Sequence, residues 1–360
     1  MEHKRPQCQA RGEEDMKNYK TGVNFGCWIS QYRDLDYGLF KKMITREDCF
    51  RIKGWGFDHI RLPFDYPLLL DESDLYKIKP MGIAFLDDMV KWCGDAGLSL
   101  LLDLHRAPGY RFQDIGANKL FETPELKDAF TALWVSLAER YRDIGEMLAF
   151  DLLNEVAEEK YLLPWIDLAQ KTIDEIRKIS PKRDILFGGA NYNSIHMLGK
   201  LPVLDDKHVV YNFHYYEPIF FTHQFASWNQ MCMDYSHSQG YPADFKDLGK
   251  FAADFPEYAG DIEKYNGMHC DCELLKRDFN FAGEFLEKNK KMVYCGEYGV
   301  YDRAGKDDKL NWMNDITGLF NQYKIGRAIW NYTGGGFGLY DWKTREETGT
   351  EVVKVITKTW

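Results

Sequence analysis

Two glutamates lie at the ends of apolar segments and could act as a chemical pair. The segment AFDLLNEV (149–156) delivers Asn154 and Glu155, side chains that cost free energy to bury unless they are paired or put to use. Glu297 lies near the end of a second apolar segment, KMVYCGEYG (291–299). Two carboxyl groups on opposite sides of one cavity suit glycoside hydrolysis, because one can donate and then accept a proton while the other attacks the anomeric carbon.

Other apolar segments also end in polar or aromatic side chains. These residues are Asn24, Arg61, His105, Asn193, His214, Tyr216 and Trp330. No G-x-S-x-G elbow accompanies them, which argues against a serine nucleophile. His105 and His214 could join a carboxylate in a zinc or iron site, but neither H-x-H nor H-E-x-x-H spacing supports one. The sequence therefore favours paired-carboxylate chemistry, and no metal or cofactor is expected.

Eight apolar segments could position these side chains. Near-continuous apolar runs are typical of parallel strands buried on both faces. The segments cover residues 22–26, 57–64, 98–105, 147–155, 184–189, 208–216, 291–299 and 326–332. Helical patterns alternate with them, so the sequence predicts a single-domain (β/α)8 TIM barrel. A doubly wound open sheet is the alternative, but no G-x-G-x-x-G follows the first strand.

Capping signals delimit several of the predicted helices. Thr45 and Asp48 have capping-box spacing, Thr123 precedes Pro124, and Gly97 follows a helical stripe. The connection between strands six and seven, about residues 217–271, is much longer than usual. We expect this insertion to form a wall or lid of the site, since the carboxyl ends of all eight strands meet at one face.

Composition narrows the class of partner. The 360 residues carry a formal net charge of −10, which argues against nucleic-acid and anionic membrane partners. No apolar stretch reaches the roughly 18 residues of a membrane-spanning helix. Residues 1–15 are predicted to be a flexible arm without signal-peptide character, leaving 16–360 as the catalytic domain. A cytoplasmic location is expected, or a secreted one if a leader has been removed.

Sparse cysteines and abundant aromatic residues give two further indications. Eight cysteines without regular spacing indicate mostly reduced thiols. The cluster HCDC (269–272) lacks a second metal half-site and is predicted to lead into a helix. Aromatic residues make up 15% of the chain, and their half-polar rings suit the apolar faces and hydroxyl edges of a sugar.

Six motifs in order resemble glycoside hydrolase family 5. They are IRLPFDYP, LLDLHRAPGY, FDLLNEV, YNFHYYEPIFFTHQ, YCGEYGVY and WNYTGGGFGLYD, and the similarity covers roughly residues 20–345. The resemblance implies that Glu155 is the acid/base and Glu297 the nucleophile of a retaining reaction. It also implies that Asn154 bonds the sugar 2-hydroxyl, while Arg61 and Tyr216 hold the nucleophile ionised.

The same resemblance implies that His105 and His214 line the subsite at the cleavage point, with Trp330 as its floor. Further candidate substrate contacts are Asn24, Asn193, Tyr110 and Trp28, and Trp228 and Phe337 are candidate walls of the cleft. Each aromatic wall residue could instead belong to the core. Arg61 could instead be a structural residue that only pairs with Asp103 inside the barrel.

The resemblance fixes the reaction better than the substrate. We expect a retaining β-glycosidase acting on β-linked glucosides or gluco-oligosaccharides, with endo-β-1,4-glucanase or another β-glycanase activity as the alternative. The long aromatic insertion favours chain-end trimming by narrowing the cleft. A metal-dependent barrel hydrolase and an inactive sugar-binding barrel remain as more distant alternatives, because a fold does not guarantee an activity.

Overall fold

Eight parallel strands close into a barrel in the computed structural model, which describes residues 18–360. Each strand pairs with the next along the chain, and β8 returns to β1 through the pair Val23–Ile329. The strands are β1 Thr21–Asn24, β2 His59–Asp65, β3 Ser99–Arg106, β4 Leu148–Asp151, β5 Ile185–Gly188, β6 Val209–Tyr215, β7 Met292–Tyr298 and β8 Gly326–Ile329. The predicted barrel is confirmed, and the open-sheet alternative is wrong.

Helices cover the outside of the barrel. Gly97 ends one of them with a left-handed φ of 67°, and the Asp48 carboxylate accepts the backbone N–H of Thr45 at 2.7 Å, as the capping signals predicted. The α-helices are Tyr37–Met43, Arg46–Gly54, Tyr66–Leu69, Pro80–Ala96, Pro124–Arg140, Leu162–Arg177, Ala190–Asn193, Ile219–Thr222, Gln230–Tyr235, Leu248–Asp254, Ala259–Glu263, Cys272–Asn289, Lys306–Tyr323 and Thr350–Ile356.

One crossover lacks a long helix. The β5–β6 connection contains the short segment Ala190–Asn193 and a 3₁₀ helix, Ile195–Lys200. Two other 3₁₀ turns are Glu159–Tyr161 and Pro256–Tyr258. Three short antiparallel pairs decorate the loops: Leu70–Asp71 with Asp74–Ile78, Ala243–Asp244 with His269–Cys270, and Tyr340–Asp341 with Glu346–Glu347.

The insertion after β6 packs around its own aromatic cluster. The Phe220 ring contacts the rings of Tyr235, Phe251 and Tyr265 at centroid distances of 4.5 to 5.9 Å. The indole N–H of Trp312 donates to the Glu217 carbonyl at 3.0 Å, which anchors the insertion to the outer helices. The insertion is therefore a folded unit at the rim of the barrel.

Other sequence predictions concern the cysteines, the HCDC segment, membrane-spanning helices and the N-terminal arm. The seven cysteines within residues 18–360 are free thiols. Asp271, in the HCDC segment, accepts the N–H of Glu273 at 3.0 Å and starts the helix Cys272–Asn289. None of the helices in the described part of the chain is long and apolar enough to cross a membrane. The predicted arm, residues 1–15, lies outside the described residues.

Candidate active site

Side chains inside the barrel form an apolar layer below a polar one. The apolar layer consists of Tyr19, Leu101, Ala149, Leu186, Val210, Tyr294 and Ala328. Side chains on a strand alternate between faces, so residues two positions further along also point inward. These residues include Asp103 on β3, Asp151 on β4 and Asn212 on β6, all at most 1% exposed. The next step along β3 and β6 reaches His105 and His214, closer to the open end.

A bulge in β7 aims Glu297 into this space. The pairing register of β7 with β6 shifts between Cys295 and Glu297. Asn212 accepts the N–H of Gly296 at 2.9 Å, and Asn24 donates to the Gly296 carbonyl at 2.9 Å, so both backbone groups of the bulge are satisfied. A Cβ at Gly296 would lie 2.8 Å from His214 Nε2, which explains the glycine.

The two glutamates meet across the barrel with a histidine between them. His214 Nδ1 lies 2.7 Å from Glu155 Oε1 and 3.8 Å from Glu297 Oε2. One oxygen of each carboxyl and one His214 nitrogen all lie within 4.8 Å of one another. Carboxyl groups about 5 to 5.5 Å apart are typical of retaining glycosidases, whereas inverting enzymes separate them by about 6.5 to 9.5 Å. The spacing therefore matches direct attack by a carboxylate.

Arg61 connects the nucleophile candidate to the polar layer. Its guanidinium donates to Glu297 Oε1 at 2.9 Å and to Asn154 Oδ1 at 3.0 Å, and it pairs with Asp103 and Asp151 at 3.1 and 3.0 Å. The side chain is fully buried. Both predicted pairings of Arg61, with the site and with Asp103, occur together because a guanidinium offers five donors.

The two glutamates have different electrostatic surroundings. Burial, followed by the charge of Glu297, raises the pKa of Glu155 well above its usual value. Burial also raises the pKa of Glu297, but Arg61 opposes this and Tyr216 donates to Glu297 Oε2 at 2.9 Å. Burial and the charge of Glu297 raise the pKa of Tyr216, so its phenol remains a donor. These contacts favour the proton on Glu155 and the negative charge on Glu297.

Glu155, His214 and Glu297 could also be considered as ligands of a metal ion. Both oxygens of Glu297 already accept hydrogen bonds, one from Arg61 and one from Tyr216. A fixed guanidinium charge 2.9 Å from a ligand oxygen also opposes a divalent cation. The donor set therefore fits an acid and a nucleophile better than a metal centre.

His105, Asn154 and Trp330 lie beside the carboxyl pair. His105 Nδ1 lies 2.8 Å from Asp103 Oδ2, and its ring stacks on Trp330 with centroids 5.7 Å apart. Burial lowers the pKa of His105 to about 4, so the imidazole is neutral. His105 Nε2 and Asn154 Nδ2 have no hydrogen-bond partner among residues 18–360. Each is free to bond a sugar hydroxyl.

Four residues that were predicted to contact the substrate make contacts within the protein instead. Trp28 is 1% exposed and donates to the Phe40 carbonyl at 2.8 Å, so its assignment to the cleft is wrong and it belongs to the core. The Asn24 side chain accepts a hydrogen bond from Arg61 and donates to the backbone carbonyls of Gly296 and Ala328. Asn24 therefore helps to position the site.

Tyr110 and Asn193 are likewise corrected from substrate contacts to positioning residues. The Tyr110 hydroxyl donates to the Glu155 carbonyl and accepts the N–H of Ala157, both at 2.8 Å. Asn193 donates to the Asn154 carbonyl. Both residues therefore hold the backbone of Asn154 and Glu155 in place through hydrogen bonds.

Sequence reasoning missed Asp151 and Asn212. Asp151 Oδ2 accepts from Arg61 Nε at 3.0 Å and from Asn212 Nδ2 at 3.1 Å, which fixes the guanidinium. The sequence does contain a pattern that indicates both residues. Each is a polar residue two positions after an inward-facing apolar one, in AFD (149–151) and VYN (210–212).

A closed β/α barrel with facing carboxyl groups on β7 and just past β4 defines a retaining glycoside hydrolase. A family model described as cellulase, glycosyl hydrolase family 5, matches residues 16–336, and the chain belongs to this family. This confirms the resemblance seen in the six motifs.

Relatives and solved structures agree with this assignment. Endoglucanase C of Acetivibrio thermocellus is 39% identical over 343 residues, which cover 95% of this chain and 99% of that protein. Cellodextrinase A of Ruminococcus flavefaciens is 33% identical over 308 residues, which cover 85% and 83%. The Thermotoga maritima Cel5A structure with cellobiose has a TM-score of 0.76 and 26% identity, covering 94% of this chain and 98% of that one.

Proposed function

We propose that the protein is a retaining endo-β-1,4-glucanase that acts on soluble β-glucan and on gluco-oligosaccharides. The observation that carries this proposal is the placement of Glu155, His214 and Glu297 within 4.8 Å of one another, with Arg61 on the nucleophile side. The names of the relatives, endoglucanase C and cellodextrinase A, support a β-glucan substrate.

In the first step, Glu297 Oε attacks the anomeric carbon while Glu155 transfers its proton to the departing glycosidic oxygen. The bond to the leaving sugar breaks, and a glycosyl ester forms on Glu297. Arg61 and Tyr216 orient the attacking carboxylate before the step, and His105 and Asn154 offer hydrogen-bonding groups to the bound sugar.

In the second step, Glu155 acts as a base. The ester has no negative charge on Glu297, so the charge that raised the pKa of Glu155 is gone and the ionised form of Glu155 becomes more favourable. Glu155 then takes a proton from water, the water oxygen attacks the anomeric carbon, and Glu297 leaves as a carboxylate. Two inversions give net retention.

Early-time proton NMR of cellopentaose hydrolysis tests this proposal. We expect the β-anomer of the new reducing end to appear first and the α-anomer only later, by mutarotation. First appearance of the α-anomer would refute the retaining mechanism. Rapid viscosity loss of carboxymethyl cellulose would support endo action, and turnover insensitive to a chelator would exclude the metal-dependent alternative.

Chain-end trimming of cellodextrins is the second candidate. The folded insertion after β6 favours it, because an added unit at the rim can restrict one end of a cleft. Glucose or cellobiose release from carboxymethyl cellulose without viscosity loss would favour trimming over endo action.

A further inference from the structure

A groove lies at the end of the barrel opposite the carboxyl pair. Its volume of about 480 Å³ is within the range of small-molecule sites. Its lining residues precede the strands, as Tyr19 precedes β1, Glu146 precedes β4, Asp184 precedes β5 and Lys207 precedes β6. The carboxyl pair lies where the strands end, so the groove and the active site are separate.

Positive charge prevails in the groove although the whole chain has a formal net charge of −10. Six charged side chains line it, four cations and two carboxylates: Arg142, Lys182, Arg183 and Lys207, with Glu146 and Asp184. One of the two carboxylates, that of Asp184, is already bonded by His208 Nδ1 at 2.9 Å. This local excess of cations attracts an anion to a protein that otherwise repels anions.

Three polar atoms of the lining residues are buried without a hydrogen-bond partner among residues 18–360. They are Ser180 Oγ, Arg183 Nε and His208 Nε2. Ser180 is 7% exposed and Arg183 is 5% exposed. A buried polar atom without a partner costs stability, and a ligand that bonds it removes this cost.

Arg177 holds the backbone around these three atoms in place. Its Nη1 donates to the carbonyls of Ser180 and Arg183 at 3.3 and 2.8 Å, and its Nη2 donates to that of His208 at 3.2 Å. The Nη atoms of Arg183 donate to four backbone carbonyls, including that of Tyr141 at a helix end. Helix-end carbonyls, which would repel an anion, are therefore bonded, and Nε of Arg183 remains as a donor.

We propose that this groove binds a phosphate group, either free or carried on a small sugar. The Arg183 Nε–H and the Ser180 hydroxyl can donate to phosphate oxygens, and the lysines of the groove supply charge. His208 donates Nδ1–H to Asp184, so neutral His208 presents Nε2 to a phosphate O–H and protonated His208 presents a donor. Binding here is independent of the proposed hydrolysis, because the groove lies at the other end of the barrel.

Calorimetric titration of the full chain with inorganic phosphate tests the proposal, with sodium chloride keeping the ionic strength constant. We expect saturable binding to one site. Ser180→Ala should raise Kd about fivefold, the factor for one hydrogen bond. It should not lower Tm in the absence of phosphate, because the hydroxyl has no partner among residues 18–360. An unchanged Kd together with a lower Tm would show a purely structural hydroxyl and overturn the proposal.

Charge variants should shift Kd in opposite directions. Lys182→Gln should raise Kd about threefold, and Glu146→Gln should lower it about threefold, since one exposed charge has an effect of this size. Lys171→Gln is the matched control, because Lys171 pairs with Asp128 outside the groove, and its Kd should equal that of the wild type. Equal shifts in Lys182→Gln and Lys171→Gln would indicate nonspecific ion binding and overturn the proposal.

Glucose 6-phosphate distinguishes the two sources of the phosphate group. A lower Kd than that of inorganic phosphate supports a sugar phosphate, and an equal or higher Kd supports free phosphate. Ser180→Ala should weaken the binding of both, which assigns them to this groove. Absence of saturable binding of either would overturn the proposal. Binding seen only after the acidic residues 13–15 are replaced by their amides would also overturn it, because the chain's own carboxylates would then fill the groove.

Discussion

Replacing Glu155 separates its acid role from the rest of the mechanism. Glu155 is 7% exposed and its pKa is raised by burial and by Glu297, so it is the proton source for a leaving sugar near neutral pH. Solvent cannot readily replace a buried acid, so Glu155→Ala should lower kcat/KM for cellopentaose by about 10³ to 10⁴, the upper part of the range for general acid catalysis.

An aryl leaving group that needs no proton removes this requirement. With 2,4-dinitrophenyl β-cellobioside, Glu155→Ala should form the glycosyl ester at close to the wild-type rate and then accumulate it, because the second step lacks its base. Stopped-flow release of dinitrophenol should show a burst followed by slow turnover. Azide should speed the turnover by attacking the anomeric carbon from the vacated side, which yields a β-glycosyl azide and frees the Glu297 carboxylate.

Two further variants serve as controls for this prediction. Glu297→Ala should abolish turnover of both substrates, since no nucleophile remains. Glu159→Gln replaces an exposed glutamate that pairs with Lys200, and it should behave as the wild type. Equal losses for Glu155→Ala on the two substrates, without a burst, would refute the role assigned to Glu155.

Three other predictions concern residues at or just after the carboxyl ends of the first three barrel strands. A Cβ at Gly26 would lie 2.3 Å from the Trp330 ring, so Gly26→Ala should displace the indole and lower kcat/KM at least tenfold, with the displacement visible in tryptophan fluorescence. Burial raises the pKa of Asp65 from 3.8 to about 6, so its stabilising contribution is complete below about pH 4 and is lost as the pH rises through about 6. In the wild type, this titration should lower the free energy of unfolding by about 3 kcal/mol between pH 4 and pH 7. In Asp65→Asn this part of the decrease should be absent, as urea titrations at the two pH values would show. Tyr110→Phe leaves the backbone around Glu155 without two hydrogen bonds and should cost about 1 to 3 kcal/mol of stability, seen as an earlier urea midpoint, together with a lower kcat.

The sequence predicted the barrel and most of the site for the same physical reason. A strand buried on both faces is apolar throughout, so a polar residue at its end marks the point where the chain reaches the open rim. His105, Glu155, His214 and Glu297 followed from this rule, whereas Arg61 is a charged residue within β2. The structure brings all five together.

The remaining features depend on contacts between distant parts of the chain. Trp28 is a core residue because its indole finds the Phe40 carbonyl, a partner that no local pattern indicates. The β7 bulge depends on Asn24 and Asn212, which lie on two other strands. Asp151 was overlooked because its charge is acceptable only beside Arg61, and that pairing exists only in the closed barrel.

The contacts of Arg61 make catalytic activity depend on closure of the barrel. This one side chain, from β2, bonds groups from β1, β3, β7 and the β4 segment, which come together only when the first and last strands have joined. A partly assembled chain would leave its nucleophile without a cationic neighbour in an apolar setting, where a carboxyl group stays protonated and cannot attack. Recovery of hydrolysis during refolding should therefore coincide with the final joining of β8 to β1, and an incomplete barrel should hydrolyse nothing.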